Sequence, residues 1–178
     1  MPLASARLWD QEWDADAAVE HLYAAHYVRL VRLAVLLVRD VETAEEVVQD
    51  SFVAMHGRWR SLTEPDKALA YLRRTVVNRA RSVLRHRGVR ARHEAGTGSV
   101  ARHQPGADEN ALVDERRTAV LDALRRLPDR QREVLALRYY LELTEAEIAD
   151  ALGISRGAVK SHASRGVTAL RASMEVHR

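Results

Sequence analysis

Cysteine is absent from this chain, which excludes disulfides, thiolate nucleophiles and thiolate zinc sites together. The start, "MPLASARLWDQEWDADAAVEHL", has no uncharged apolar run and does not read as a signal peptide. No later stretch approaches the roughly 18 apolar residues of a membrane span, so a cytoplasmic protein without membrane insertion is expected. The eight histidines show no H-E-x-x-H or other ligand spacing, and no glycine loop for phosphate is present. No metal, cofactor or catalytic residue is therefore expected. Strand signals are nearly missing too, because no stretch alternates apolar and polar residues between turn residues.

What is present is helical periodicity and segregated charge. Apolar residues make up 47% of the 178 positions, enough for a packed core. Net charge is only +3, yet from Lys67 to Arg92 nine basic residues stand without an acid. From Asp40 to Asp50 there are five acids and no base, and from Ala151 to Met174 four basic residues and no acid. Such separation fits two nucleic-acid faces and one acidic face for a protein partner, although solvated helix faces also carry charge runs.

The apolar spacing predicts three helices in the first half. Residues 17–38 place Leu22, Tyr23, His26, Tyr27, Leu30, Val31, Ala34, Leu37 and Val38 on one broad face. A second helix is expected to start at a Thr43–Glu46 capping box, bury Val47, Val48, Ser51, Phe52 and Met55, and end at Gly57. A loop over 58–66 should lead to a third helix, 66–87, with Leu69, Leu72, Val76, Ala80, Val83 and Leu84 inward. Residues 88–111 hold four of the eight glycines and little periodicity, which reads as a linker able to span tens of ångströms at about 3.3 Å per residue. The fold class is all-α: an N-terminal domain (1–87), the linker (88–111) and a C-terminal domain (112–178).

In the C-terminal domain "GISRG" matches the G-x-S-x-G of a serine-hydrolase elbow. That elbow needs a buried strand before the serine, whereas the preceding residues form a helix start in which Thr144 and Glu147 make a capping box and Leu143 staples onto Ile148. Gly153 supplies a left-handed turn, Ile154 tucks inward and Ser155 caps the next helix. Along that helix Val159, Ala163, Val167 and Leu170 make an inward stripe. The opposite face shows Arg156, Gly157, Lys160, Ser161, Ser164, Arg165 and Thr168, suited to phosphates and base edges. This is a helix-turn-helix.

The N-terminal domain offers a second nucleic-acid candidate. Arg74, Asn78, Arg81 and Arg85 form a polar ridge opposite the apolar stripe of the third helix. Trp59, just before it, either stacks on a single-stranded base or closes the small core. The acidic second helix turns Glu45, Glu46, Gln49 and Asp50 outward, which suits a basic protein partner.

With these residues in view, "DVETAEEVVQDSFVAMHGRW" and "ALAYLRRTVVNRARSVLR" resemble region 2 of sigma-70-type RNA polymerase sigma factors. "LRRLPDRQREVLALRYYLELTEAEIADALGISRGAVKSHASRGVTALR" is similar to their region 4. The two-part layout resembles the extracytoplasmic-function (ECF) subfamily, SigE-like group. The resemblance implies a factor that binds core RNA polymerase and directs promoter recognition, melting and initiation, without catalysis. It implies that Glu45, Glu46, Gln49 and Asp50 dock on the β′ clamp helices, with the β flap as a further contact. Trp59, Arg74, Asn78, Arg81 and Arg85 would meet the −10 element. The helix from Ser155 would enter the −35 groove, and an anti-sigma factor is a possible partner. The competing reading is a stand-alone helix-turn-helix regulator of LuxR-like type.

Overall fold

The computed structural model describes residues 15–62, 65–93 and 111–175, all in helices and the turns between them, with no strand among them. The N-terminal half consists of α1 (Ala15–Val38), α2 (Val41–Leu62) and α3 (Pro65–His93). The C-terminal half consists of α4 (Ala111–Arg126), α5 (Asp129–Leu135), a π-helical turn (Ala136–Tyr140), α6 (Glu145–Leu152) and α7 (Arg156–Glu175).

The three N-terminal helices pack on one another through the apolar stripes that the periodicity marks. Leu30, Leu37, Val48, Met55, Leu72 and Val76 are all fully buried. The buried surface is wider than those stripes, however, and also takes in Leu33, Ala68 and Val77. The reason is that α1 touches not only α2 and α3 but also α4, α5 and the π-helical turn, so one stripe is not enough. By length and mean hydropathy (1.3) α1 could cross a bilayer, which makes it more apolar than expected from the sequence. Here it is the central helix of a bundle, with Glu20, His21, Arg29 and Arg32 on its exposed side.

Three expected boundaries shift. The start of α2 is not a Thr43–Glu46 box: Asp40, closer to the helix end and ionised, accepts the Thr43 amide at 2.9 Å and the Thr43 hydroxyl as well. Those bonds, the hydroxyl's first, together with nearby Arg87 hold the Asp40 carboxyl below its ordinary range. Arg87 of α3 closes the same corner, donating to the Val38 carbonyl (3.3 Å), to Asp40 (3.4 Å) and to Thr43 Oγ1 (2.5 Å). Nor does α2 stop at Gly57. A glycine inside a helix costs only about 1 kcal/mol, and Trp59 and Leu62 beyond it still pack on the core, so the helix runs on. The expected 58–66 loop is therefore mostly helix. Finally, α3 continues to His93, past the expected domain boundary at 88; the remainder of the expected linker, 94–110, lies outside the described residues.

In the C-terminal half Leu127 and Pro128 break the chain between α4 and α5 as the proline requires. Arg132 is buried and is held by the Leu127 carbonyl (3.1 Å) and Asp129 (2.5 Å). α7 crosses α5 closely at Gly166: a Cβ there would lie 2.9 Å from Leu135 Cδ1 and 3.4 Å from Gln131 Cβ.

Candidate nucleic-acid interface

The turn between α6 and α7 forms as its residues dictate. Thr144 Oγ1 accepts the Glu147 amide (3.3 Å), and the Glu147 carboxylate accepts the Thr144 amide and hydroxyl, each at 2.8 Å. These bonds, the backbone one first, hold the Glu147 carboxyl below its usual range. Gly153 ends α6 at φ +64°, a left-handed conformation that other residues rarely adopt. Ile154 packs on the core, and Ser155 Oγ accepts the Ala158 amide at 3.1 Å to open α7. The serine is a helix cap with its hydroxyl committed to the backbone.

α7 then has two distinct sides. Val159 and Ala163 are buried, with Val167 and Leu170 half-buried behind them. Arg156, Gly157, Lys160, Ser161, Ser164, Arg165 and Thr168 are all exposed, in one continuous polar face. Arg165 leans on Ser161 (3.2 Å), and Lys160 approaches Glu145 at 3.7 Å with its side chain 68% exposed. Such a surface pair contributes at most about 1 kcal/mol and leaves the ammonium available. A Cβ at Gly157 would meet only Ser155 Oγ, at 3.9 Å, an ordinary contact. Nothing in the fold requires a glycine there, whereas close approach of a phosphate or base edge would.

On α2, Glu45, Glu46, Gln49 and Asp50 are exposed along the same side, as the pattern requires. Asp50 is partnered by Arg79 of α3 at 3.0 Å. One turn beyond Gln49, Val53 is 72% exposed, and Tyr23 stacks on Tyr27 at 4.3 Å beside Phe52. Acids flanked by uncovered apolar groups are characteristic of a protein-binding rather than a phosphate-binding surface.

The ridge on α3 is less free. Arg74, Asn78 and Arg85 are exposed, but Arg81 is turned onto Glu133 of α5, with Nε–Oε1 and Nη2–Oε2 both at 2.7 Å. Trp59 is half-buried against the core at the end of α2, a placement that fits core closure. Periodicity does not flag Glu133. The only local sign is an acid set inside the apolar run "REVLAL", where Arg130 alone is in reach along the helix, at 3.2 Å.

Both halves match one family. Residues 22–90 match Sigma-70 region 2, and residues 117–170 match Sigma-70, region 4. The chain is 32% identical over 161 residues to the RNA polymerase sigma-E factor of Streptomyces avermitilis, covering 88% of this chain and 87% of that one. It is 31% identical over 168 residues to the ECF RNA polymerase sigma factor SigL of Mycobacterium tuberculosis, covering 89% and 90%. In fold it is similar to the sigma factor RpoE of Bartonella quintana, solved with the anti-sigma factor NepR, at TM-score 0.70, 24% identity and coverage of 89% and 98%. Region 2 followed by region 4 is not the order of a stand-alone LuxR-like regulator, and that reading is not favoured.

Proposed function

The chain belongs to the sigma-70 family of RNA polymerase sigma factors, in its ECF branch, and from that premise we propose how its surfaces divide the work. As a sigma factor it binds core RNA polymerase and directs promoter recognition, melting and transcription initiation, and it is not an enzyme.

The observation that carries the assignment is the unbroken exposed face of α7 behind a fully capped turn. Arg156, Lys160, Ser161, Ser164, Arg165 and Thr168 enter the major groove at the −35 element, with Gly157 allowing the backbone close approach. Phosphate contacts supply most of the affinity and a steep salt dependence, while a bidentate arginine–guanine contact adds about 1–3 kcal/mol of discrimination. Arg74, Asn78, Arg81 and Arg85, with Trp59 at the end of α2, meet the −10 element as it melts. Glu45, Glu46, Gln49 and Asp50 dock on the β′ clamp helices, helped by Val53, and the C-terminal domain meets the β flap. The domains divide as 1–87 and 112–178 in function, although α3 reaches His93. The site of action is the cytoplasm, where promoter DNA and polymerase are. An anti-sigma factor is a further proposed partner, and the acidic side of α2 is the surface it would cover.

The test is run-off transcription on fragmented genomic DNA of the source bacterium with core polymerase, with and without this protein. New transcripts that start a fixed distance below a shared two-part sequence support the assignment. Specific DNA binding without polymerase-dependent initiation refutes it.

A further inference from the structure

The cations on the exposed face of α7 are restrained to different degrees. Arg165 bends back onto its own helix, donating to the Ser161 carbonyl (3.3 Å) and to Ser161 Oγ (3.2 Å). Arg156 has no hydrogen bond or ion pair among the described residues. Lys160 is reached from a different element. Its ammonium lies 3.7 Å from Glu145 Oε2, at the first position of α6, while Glu145 Oε1 accepts from Arg138 Nη2 at 3.3 Å. Arg138 belongs to the π-helical turn, and its side chain is 35% exposed against 68% for Lys160. One carboxylate therefore joins the turn before α6 to the groove-facing side of α7, and its better shielded end is the arginine end.

An acid beside a face that meets phosphates is repelled by DNA, so its presence there calls for a reason. Opening α6 is not a sufficient one: an acid in the first turn gains from the helix dipole, but Glu147 in the same turn already supplies it together with the capping box. The pairing with Lys160 supplies another. A lysine ammonium is a point charge on a flexible stem and meets any phosphate in reach. An exposed pair gives way easily, so Glu145 limits where the ammonium points without withholding its charge. We propose that Glu145 is a positioning residue for −35 recognition: anchored by Arg138, it aims Lys160 along the groove-facing side of α7 and thereby sharpens discrimination between the −35 element and other duplex. This inference rests on the −35 assignment above. A directed Lys160 reaches its place in the specific complex with less ordering left to do, whereas a released one grips the backbone of any sequence.

The experiment uses the full chain assembled with core polymerase. A fluorescein-labelled duplex carrying the upstream element of a promoter recovered by run-off transcription is titrated by anisotropy, beside a scrambled duplex of the same composition. Removing an acid near DNA relieves repulsion for both duplexes alike, so the ratio of the two affinities is the readout. Glu145→Gln keeps the side-chain shape and should lower that ratio by about fivefold, with the scrambled duplex bound more tightly. Glu145→Asp keeps the charge at the start of α6 but draws the carboxylate back from Lys160. It should lower the ratio as well, with the melting temperature unchanged. In a Lys160→Ala background, Glu145→Gln should move the ratio by less than about twofold, because the double-mutant cycle isolates what acts through the lysine. An unchanged ratio in Glu145→Gln overturns the positioning role, and so does a parent-like ratio in Glu145→Asp, since a role at the helix start needs only the charge. A loss that persists in full without Lys160 overturns it too, because the carboxylate would then act on the helix or on a base edge by itself. In all three cases the −35 assignment stands as long as Lys160→Ala alone weakens binding of the specific duplex. If that variant binds the specific duplex as the parent does, the −35 assignment fails and the positioning role with it.

Discussion

Arg81 and Glu133 stand 52 positions apart in sequence and join the two halves of the molecule through a pair of 2.7 Å bonds. Glu133 is 4% exposed and Arg81 18%, so the pair is largely withdrawn from water. Removing one partner of such a pair ordinarily leaves a charge that is costly to keep buried.

Lys160→Ala should weaken binding to −35 duplex by about five- to tenfold and lower the magnitude of the salt slope by about one, as loss of one phosphate contact does. Polymerase association should be unaffected. Fluorescence titrations of both partners at several salt concentrations check this, and equal losses to both would refute the separation of roles.

Asp50→Arg should weaken assembly with core polymerase by tenfold or more. The Asp50–Arg79 pair it breaks is exposed (65% and 39%), so unfolding stability should change by no more than about 1 kcal/mol. A pull-down with core enzyme beside a urea melt separates the two effects. Undiminished assembly would remove α2 as the docking face.

Two glycines of α7 should respond in opposite ways to alanine. At Gly166 the new Cβ would press on Leu135 at 2.9 Å, and overpacking of about 1–3 kcal/mol should outweigh the gain of up to about 1 kcal/mol in helix propensity. At Gly157 the new Cβ would meet only Ser155 Oγ, at an ordinary 3.9 Å, so alanine should leave stability equal or higher while weakening −35 binding. Thermal melts and duplex titrations of both variants test the contrast, which fails if Gly157→Ala binds DNA as the parent does.

His26 on α1 should make the fold acid-sensitive. Burial first, and then Arg73, Arg29 and His21, lower its pKa. In the unfolded chain the ring takes up a proton near pH 6.5, while the native protein resists until lower pH. Below about pH 6.5 the unfolded state binds more protons, so this contribution is present above that value and is lost as pH falls through the native pKa. Urea midpoints measured between pH 7.5 and 5 should fall less steeply in His26→Gln. Identical slopes would mean that other groups carry the acid sensitivity.

The amino-acid sequence by itself determined the helices, the turn and the polar faces. Gly153, the Thr144–Glu147 box and the Ser155 cap act within four residues of themselves, so their geometry is legible from spacing, and all three form as read. The same holds for the outward side of α7 and the acids of α2, because a 3.6-residue period assigns faces without knowledge of the partner. Where competition between local signals decides, the reading is weaker: Asp40 outcompetes Thr43 as the cap, and packing of Trp59 and Leu62 carries α2 through Gly57. Only the tertiary structure decided that α1 is buried on more than one side, that Arg87 closes a corner rather than extending a DNA face, and that Arg81 is answered by Glu133. No spacing rule links residues 52 positions apart, and a charge on an outward face looks the same in sequence whether it will meet water, phosphate or another domain's carboxylate.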